Sequence, residues 1–93
     1  MIKSFKDRET EKIWNREYSK RLPKEIQERA LMKLQQSNAA GALRDLSIPA
    51  SNQLELLKAD RKGDYSIRIN RQWRICFTWN EGHAADVEIT DYH

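Results

Sequence analysis

The sequence predicts an α+β domain in which an N-terminal strand and two helices pack on a mainly antiparallel sheet, completed by a three-stranded C-terminal meander. Three observations carry this. Apolar residues recur at helical spacing in the first half of the chain, they alternate with polar residues from Asp64 onward, and turn-forming residues separate the runs. No repeat, low-complexity tract or linker interrupts the 93 residues, so 1–93 reads as one domain.

Met1–Phe5 is the expected first strand, anchored by Ile2 and Phe5. Asp7 is placed to cap a helix from about Arg8 to Tyr18, its carboxylate accepting from free backbone amides in the first turn. Trp14 and Tyr18 fall four apart and are expected on one face of it. Pro23 opens the second helix, because proline forfeits no hydrogen bond in a first turn. Ile26, Ala30 and Leu34 form its inner stripe, while Lys24, Glu25, Glu28, Arg29, Lys33 and Gln36 fall mostly outside. The helix is expected to fade near Asn38, before Gly41, with one further turn over 42–46. Pro49–Asn52 reads as a loop, and Leu54, Leu56 and Leu57 return the chain to the core.

From Asp64 the period becomes two. Tyr65, Ile67 and Ile69 alternate with Ser66 and Arg68; after Asn70-Arg71-Gln72, Trp73, Ile75, Phe77 and Trp79 alternate with Arg74, Cys76 and Thr78. Asn80-Glu81-Gly82 is a turn, and Val87 and Ile89 alternate with Glu88 and Thr90. The isoleucines and aromatics thus share one sheet face, and Arg68 and Arg74 share the other.

Composition narrows the function classes. A chain of this size buries about 60–65% of its unfolded surface, enough for one modest core. Hydrophobic residues are 39% and charged residues 33% of the total, and the aromatic side chains supply the bulk that core needs. Seventeen Lys and Arg against fourteen acids give a formal charge of +3, which favours polyanionic partners. The lone Cys76 lies in an apolar alternation and reads as an inert buried thiol. No apolar run approaches membrane-spanning length and the N-terminal residues do not form a secretory signal, so a cytoplasmic protein without membrane contact is expected. His83 reads as an exposed loop histidine; no spacing suggests zinc, and there is no phosphate loop or nucleophile elbow.

Chemistry-bearing residues gather in two places. Alternation aims Arg68 and Arg74 away from the apolar stripe, and Lys58, Arg61 and Lys62 immediately precede the meander. Five cations around one open surface would make a phosphate-binding trough; the competing reading is a solvated face paired with Asp60 and Asp64. The second place is Asp91-Tyr92-His93, directly after a core strand. Metal-free RNA cleavage needs the ribose 2′-OH deprotonated, the phosphorane stabilised and the departing 5′-oxygen protonated. Histidine exchanges protons near neutral pH, and arginine and lysine answer the phosphorane charge. A terminal Tyr-His would serve equally well to cap a strand edge.

The stretches Asn52-Gln53-Leu54-Glu55, Lys58-Ala59-Asp60-Arg61-Lys62-Gly63, Tyr65-Ser66-Ile67-Arg68-Ile69-Asn70, Gln72-Trp73-Arg74-Ile75-Cys76-Phe77 and Val87-Glu88-Ile89-Thr90-Asp91-Tyr92-His93 closely resemble the HigB toxins of the RelE/ParE toxin–antitoxin superfamily. The opening Ile2-Lys3-Ser4-Phe5 fits as well, so the likeness spans essentially the whole chain. It implies a RelE/ParE-like fold and a metal-independent, cofactor-free endoribonuclease that cuts mRNA in the ribosomal A site, beside 16S rRNA, leaving a 2′,3′-cyclic phosphate. The family's catalytic positions fall on Lys58, Arg74, Asp91, Tyr92 and His93, and Arg68, Arg61 and Lys62 are the expected RNA or phosphate contacts. Glu55 stands where the best-studied pattern has histidine, which makes it a candidate replacement acid or base. Ala59 stands where glycine is common, and is tolerated only if no positive φ is required there. The resemblance also implies a helix-turn-helix antitoxin of the HigA type and, through it, operator DNA. Two rivals follow from the same fold group: a ParE-like DNA gyrase inhibitor acting by protein binding, and a non-catalytic corepressor module.

Overall fold

A computed structural model describes residues 1–57 and 63–91. The elements are α1 (Arg8–Trp14), α2 (Lys24–Ala39), two 3₁₀ turns (Leu43–Ser47 and Ala50–Asn52), β1 (Glu55–Leu56), β2 (Asp64–Arg68), β3 (Trp73–Asn80) and β4 (His83–Asp91). The four strands form an antiparallel sheet in sequence order, and α2 lies against β3 and β4. This is the expected α+β architecture, with one strand more than the meander alone: β1 was expected only as a chain of core leucines. Two residues are too few to show a period, and Leu56 is 53% exposed rather than buried.

The N-terminal segment does not build a full ladder. Ile2 and Phe5 make isolated parallel bridges to Ala84 and Val87, with Lys3 N donating to Ala84 O at 2.7 Å and Lys6 N to Val87 O at 2.9 Å. It therefore covers the outer edge of β4, which would otherwise present unpaired backbone groups.

Asp7 caps α1 as expected, accepting from Thr10 N at 2.9 Å; its loss costs about 1 kcal/mol. The helix stops at Trp14, short of Tyr18, because Asn15 leaves the helical region and Arg16 adopts a left-handed φ of 63°. Tertiary bonds hold the chain beyond. Ser19 Oγ donates to Glu9 Oε1 at 2.6 Å, and the Gln27 side chain both accepts from Ser19 N and donates to Ser19 O. Tyr18 is consequently exposed and shares no buried face with Trp14.

In α2 the stripe Ile26, Ala30 and Leu34 is buried, but so is Lys33, at 6% exposure. Asn52, expected in a loop, is fully buried. Its Oδ1 accepts from Lys33 Nζ, and its Nδ2 donates to the carbonyls of Leu46 (3.1 Å) and Ile48 (3.4 Å). The buried carboxamide thus ties α2 to both 3₁₀ turns and supplies the partner that a buried lysine needs.

Register sorts the sheet faces. Ile67, Ile75 and Ile89 stand side by side across β2, β3 and β4 on the core side, with Phe77 buried beside them. Shortening Leu34 or Phe77 to Ala in this layer costs about 2–5 kcal/mol. Between Glu88 and Ala85 the strand β4 has one residue more than β3 opposite, and Asp86 takes up the bulge with φ 51°. The bulge keeps Ala84, Val87 and Ile89 all buried despite their uneven spacing. His83 is the first residue of β4, half-buried and with no hydrogen-bond partner for its Nδ1 among the described residues, rather than an exposed loop residue.

Candidate active site on the polar sheet face

On the face away from the isoleucines, Glu55, Ser66, Cys76 and Glu88 occupy one rung across all four strands. Arg68, Arg74 and Thr90 occupy the next rung. Alternation therefore sets the two arginines directly opposite each other, as the sequence implies. Their surroundings differ from an open trough, however. Arg74 is only 8% exposed. Its Nε donates to Ser66 Oγ at 2.7 Å and its Nη2 to Gln53 O at 2.5 Å. Gln53 has a left-handed φ of 45°, and that turn after Asn52 aims its carbonyl at the guanidinium. Arg68 is half-buried and its Nε donates to Asn70 O at 3.0 Å.

Glu55 is exposed on the edge strand, its Cα opposite that of Ser66, so it stands one strand away from the hydroxyl that holds Arg74. Asp91 is also exposed and stands opposite Trp73, not opposite Arg74. Its Oδ2 accepts from Gln72 Nε2 at 2.9 Å. The structure thus brings Arg68, Arg74 and Glu55 onto adjacent rungs of one face, with Asp91 at the end of the neighbouring strand. Lys58, Arg61, Lys62, Tyr92 and His93 lie outside the described residues, as does Ala59.

Sequence reasoning passed over Ser66 and Gln53. The signal for Ser66 was present, since a small hydroxyl in a strand diagonal to an arginine is a natural hydrogen-bond acceptor. Nothing in the sequence marks Gln53, whose contribution is a backbone carbonyl. Cys76 is 1% exposed, as expected of a structural thiol. Among the described residues no three His, Cys, Asp or Glu side chains are grouped to hold a metal ion, and no helix is long and apolar enough to cross a membrane.

Residues 3–93 match the family model described as RelE-like toxin of type II toxin-antitoxin system HigB. The chain belongs to the HigB-like toxins. It is 39% identical over 90 residues to Toxin HigB-1 of Vibrio cholerae, covering 96% of this chain and 95% of that one. It is 31% identical over 93 residues to a protein named Endoribonuclease HigB from Proteus vulgaris, along the full length of both. Membership in a type II toxin–antitoxin family gives this HigB-like toxin an antitoxin as its partner. The α+β sheet with two helices is consistent with a RelE-like toxin.

Proposed function

We propose that this HigB-like toxin is a metal-independent, ribosome-dependent endoribonuclease that cuts mRNA in the A site and so arrests translation. The observation that carries the reading is Arg74: a guanidinium anchored by Ser66 and Gln53 on the polar face, in a member of a family whose Proteus vulgaris relative is named an endoribonuclease. A cation fixed before substrate arrives stabilises developing phosphorane charge without reorganising.

The reaction is an internal transfer. The 2′-oxygen attacks the adjacent phosphorus, the bond from phosphorus to the 5′-oxygen breaks, and a 2′,3′-cyclic phosphate and a 5′-hydroxyl result. The 2′-OH proton leaves to a base, and a proton is delivered to the 5′-oxygen. His93, oriented by Asp91, is assigned proton transfer, with Glu55 as the second proton-exchanging group where the family has histidine. Lys58 and Arg74 clamp the phosphate, Tyr92 positions a nucleotide, and Arg61, Lys62 and Arg68 contact the RNA backbone. The ribosome and its 16S rRNA present the message in a splayed geometry, which supplies proximity. The antitoxin is assigned to the helix-turn-helix HigA type, joining the pair to operator DNA in the cytoplasm.

Primer extension on messages translated with the purified protein tests this. Cuts within the reading frame that need ribosomes are expected, and Arg74→Ala is expected to weaken them about 100-fold or more. Intact messages alongside gyrase-dependent DNA breaks would replace the reading with gyrase inhibition.

A further inference from the structure

A cavity of about 650 Å³ opens between α2 and the β2–β3 connection, a size that accepts a small ligand. Arg29 and Lys33 from α2, Arg68 from β2 and Arg71 from the turn line it, and among the described residues no acidic side chain does. None of these four cations forms an ion pair among the described residues. Lys33 is the innermost. Its ammonium has three donors, and Asn52 Oδ1 takes one. Burial, and then the nearby Arg29 charge, hold its pKa below the usual lysine range. Arg29 and Arg68 are aimed by backbone carbonyls, of Ile69 at 3.3 Å and Asn70 at 3.0 Å, each through one of five guanidinium donors. Arg71 is exposed at the rim.

Four like charges around one cavity repel each other, and a small domain holds them together at a cost to its stability. An anion entering the cavity removes that cost. Phosphate suits the arrangement because planar guanidinium forks and a point-charge ammonium both bind its oxygens. Met32 and Pro49 add an apolar wall against which a base can lie. The cavity also adjoins the reaction face, since Arg68 is the direct cross-strand partner of Arg74.

We propose that this cavity is a second phosphate subsite, holding the phosphate and base of a nucleotide that flanks the scissile bond. The inference rests on the endoribonuclease reading and extends it from one phosphate to two. It assigns Arg29, Lys33 and Arg71 to substrate binding, with Arg68 shared between the cavity and the face that carries Arg74.

The test uses a short RNA methylated at every 2′-oxygen, which cannot be cut because the attacking oxygen carries no proton to lose. Amide shifts over residues 29–36 and 68–71 are expected on addition of this RNA to the full-length protein. Inorganic phosphate is expected to move the same amides at higher concentration, which separates phosphate recognition from contacts made only by the rest of the RNA. Arg71→Ala leaves every described hydrogen bond in place and is expected to weaken binding about tenfold and flatten the dependence of log K on log salt by about 0.7. Arg71→Lys should keep most of the salt dependence.

RNA shifts that bypass these residues, or an Arg71→Ala protein with unaltered affinity and salt slope, overturn the proposal. Unaltered RNA binding with lost antitoxin binding would make the cavity a protein contact and overturn it too. Cleavage during translation by the unmodified protein reports separately on the endoribonuclease reading. Absent cleavage with intact cavity binding removes that reading and leaves an RNA site.

Discussion

Arg74 and Ser66 are joined across β2 and β3 by a 2.7 Å hydrogen bond from the guanidinium Nε to the hydroxyl oxygen. Both side chains are buried, so each supplies what the other would lack. Ser66→Ala is expected to cost about 1–3 kcal/mol, because the arginine loses a buried acceptor. Cleavage in a translation assay should fall more steeply than the loss of folded protein explains. A variant with a lowered urea midpoint and undiminished cutting per folded molecule would show that this bond steadies the sheet and does nothing for the chemistry.

Glu55 stands where the resemblance to the HigB toxins implies a histidine. If the carboxylate exchanges a proton during cleavage, Glu55→Gln lowers the cutting rate by about 100-fold or more while its exposed position leaves stability near that of the parent. Glu55→His should restore cutting and move its pH dependence toward the histidine range. Rates unmoved by either substitution would leave proton transfer to other groups.

Asn52 concentrates several bonds in one buried carboxamide, and the Lys33 ammonium depends on it. Asn52→Ala is expected to cost about 3 kcal/mol, at the upper end for single substitutions, since it strands a buried charge as well as two carbonyls. Chemical denaturation of the two proteins measures it. A loss under 1 kcal/mol (the size of an ordinary surface change) would mean water replaces the carboxamide at little cost.

Lys33 also makes stability depend on pH. Its folded pKa lies below the ordinary 10.5, so between the two values the unfolded chain binds more protons and stability rises with pH. Below the folded value the penalty is fully present. The parent should therefore gain stability relative to Lys33→Met as pH climbs toward 10.5, a difference readable from paired urea titrations. Parallel curves would show that this lysine titrates alike in both states.

Beside α1, the Ser19 hydroxyl is the largest influence holding the Glu9 carboxyl below its ordinary 4.5, with Lys12 and Arg21 assisting against the opposing effect of burial. A carboxylate favoured in the folded state stabilises above 4.5, and that contribution fades as pH falls through the lowered value. Ser19→Ala should raise the Glu9 titration midpoint seen by NMR and shrink this acid-sensitive component. An unchanged midpoint would transfer the effect to the lysine and arginine.

The alternation of Ile67, Ile75 and Ile89 with Arg68 and Arg74 made the meander legible, because a period of two leaves one choice of face. Asp7 and the stripe of α2 were legible for the same kind of reason: local bonds and local periods. What escaped is tertiary. The halt of α1 at Trp14 is enforced by Ser19 and Gln27, partners that no helix propensity registers. Lys33 looked like a surface charge until Asn52 supplied its acceptor, and β1 is recognised only by the partner strand beside it. The arginines were placed on the correct face, yet the near burial of Arg74 follows from the turn at Gln53, which has no sequence pattern.

The N-terminal segment bonded along β4 has a consequence for how the toxin is made. Ile89 N donates to Thr10 Oγ1, and Asp86 N to Ser4 Oγ, across separations of 79 and 82 residues. Ser4 and Thr10 leave the ribosome some 80 residues ahead of the partners that bond them and must wait for those partners, and contacts of such range form late. A nascent chain is expected to stay protease-sensitive until β4 has cleared the exit tunnel. Protection from proteolysis in stalled chains ending before His83 would show that the order of events is otherwise.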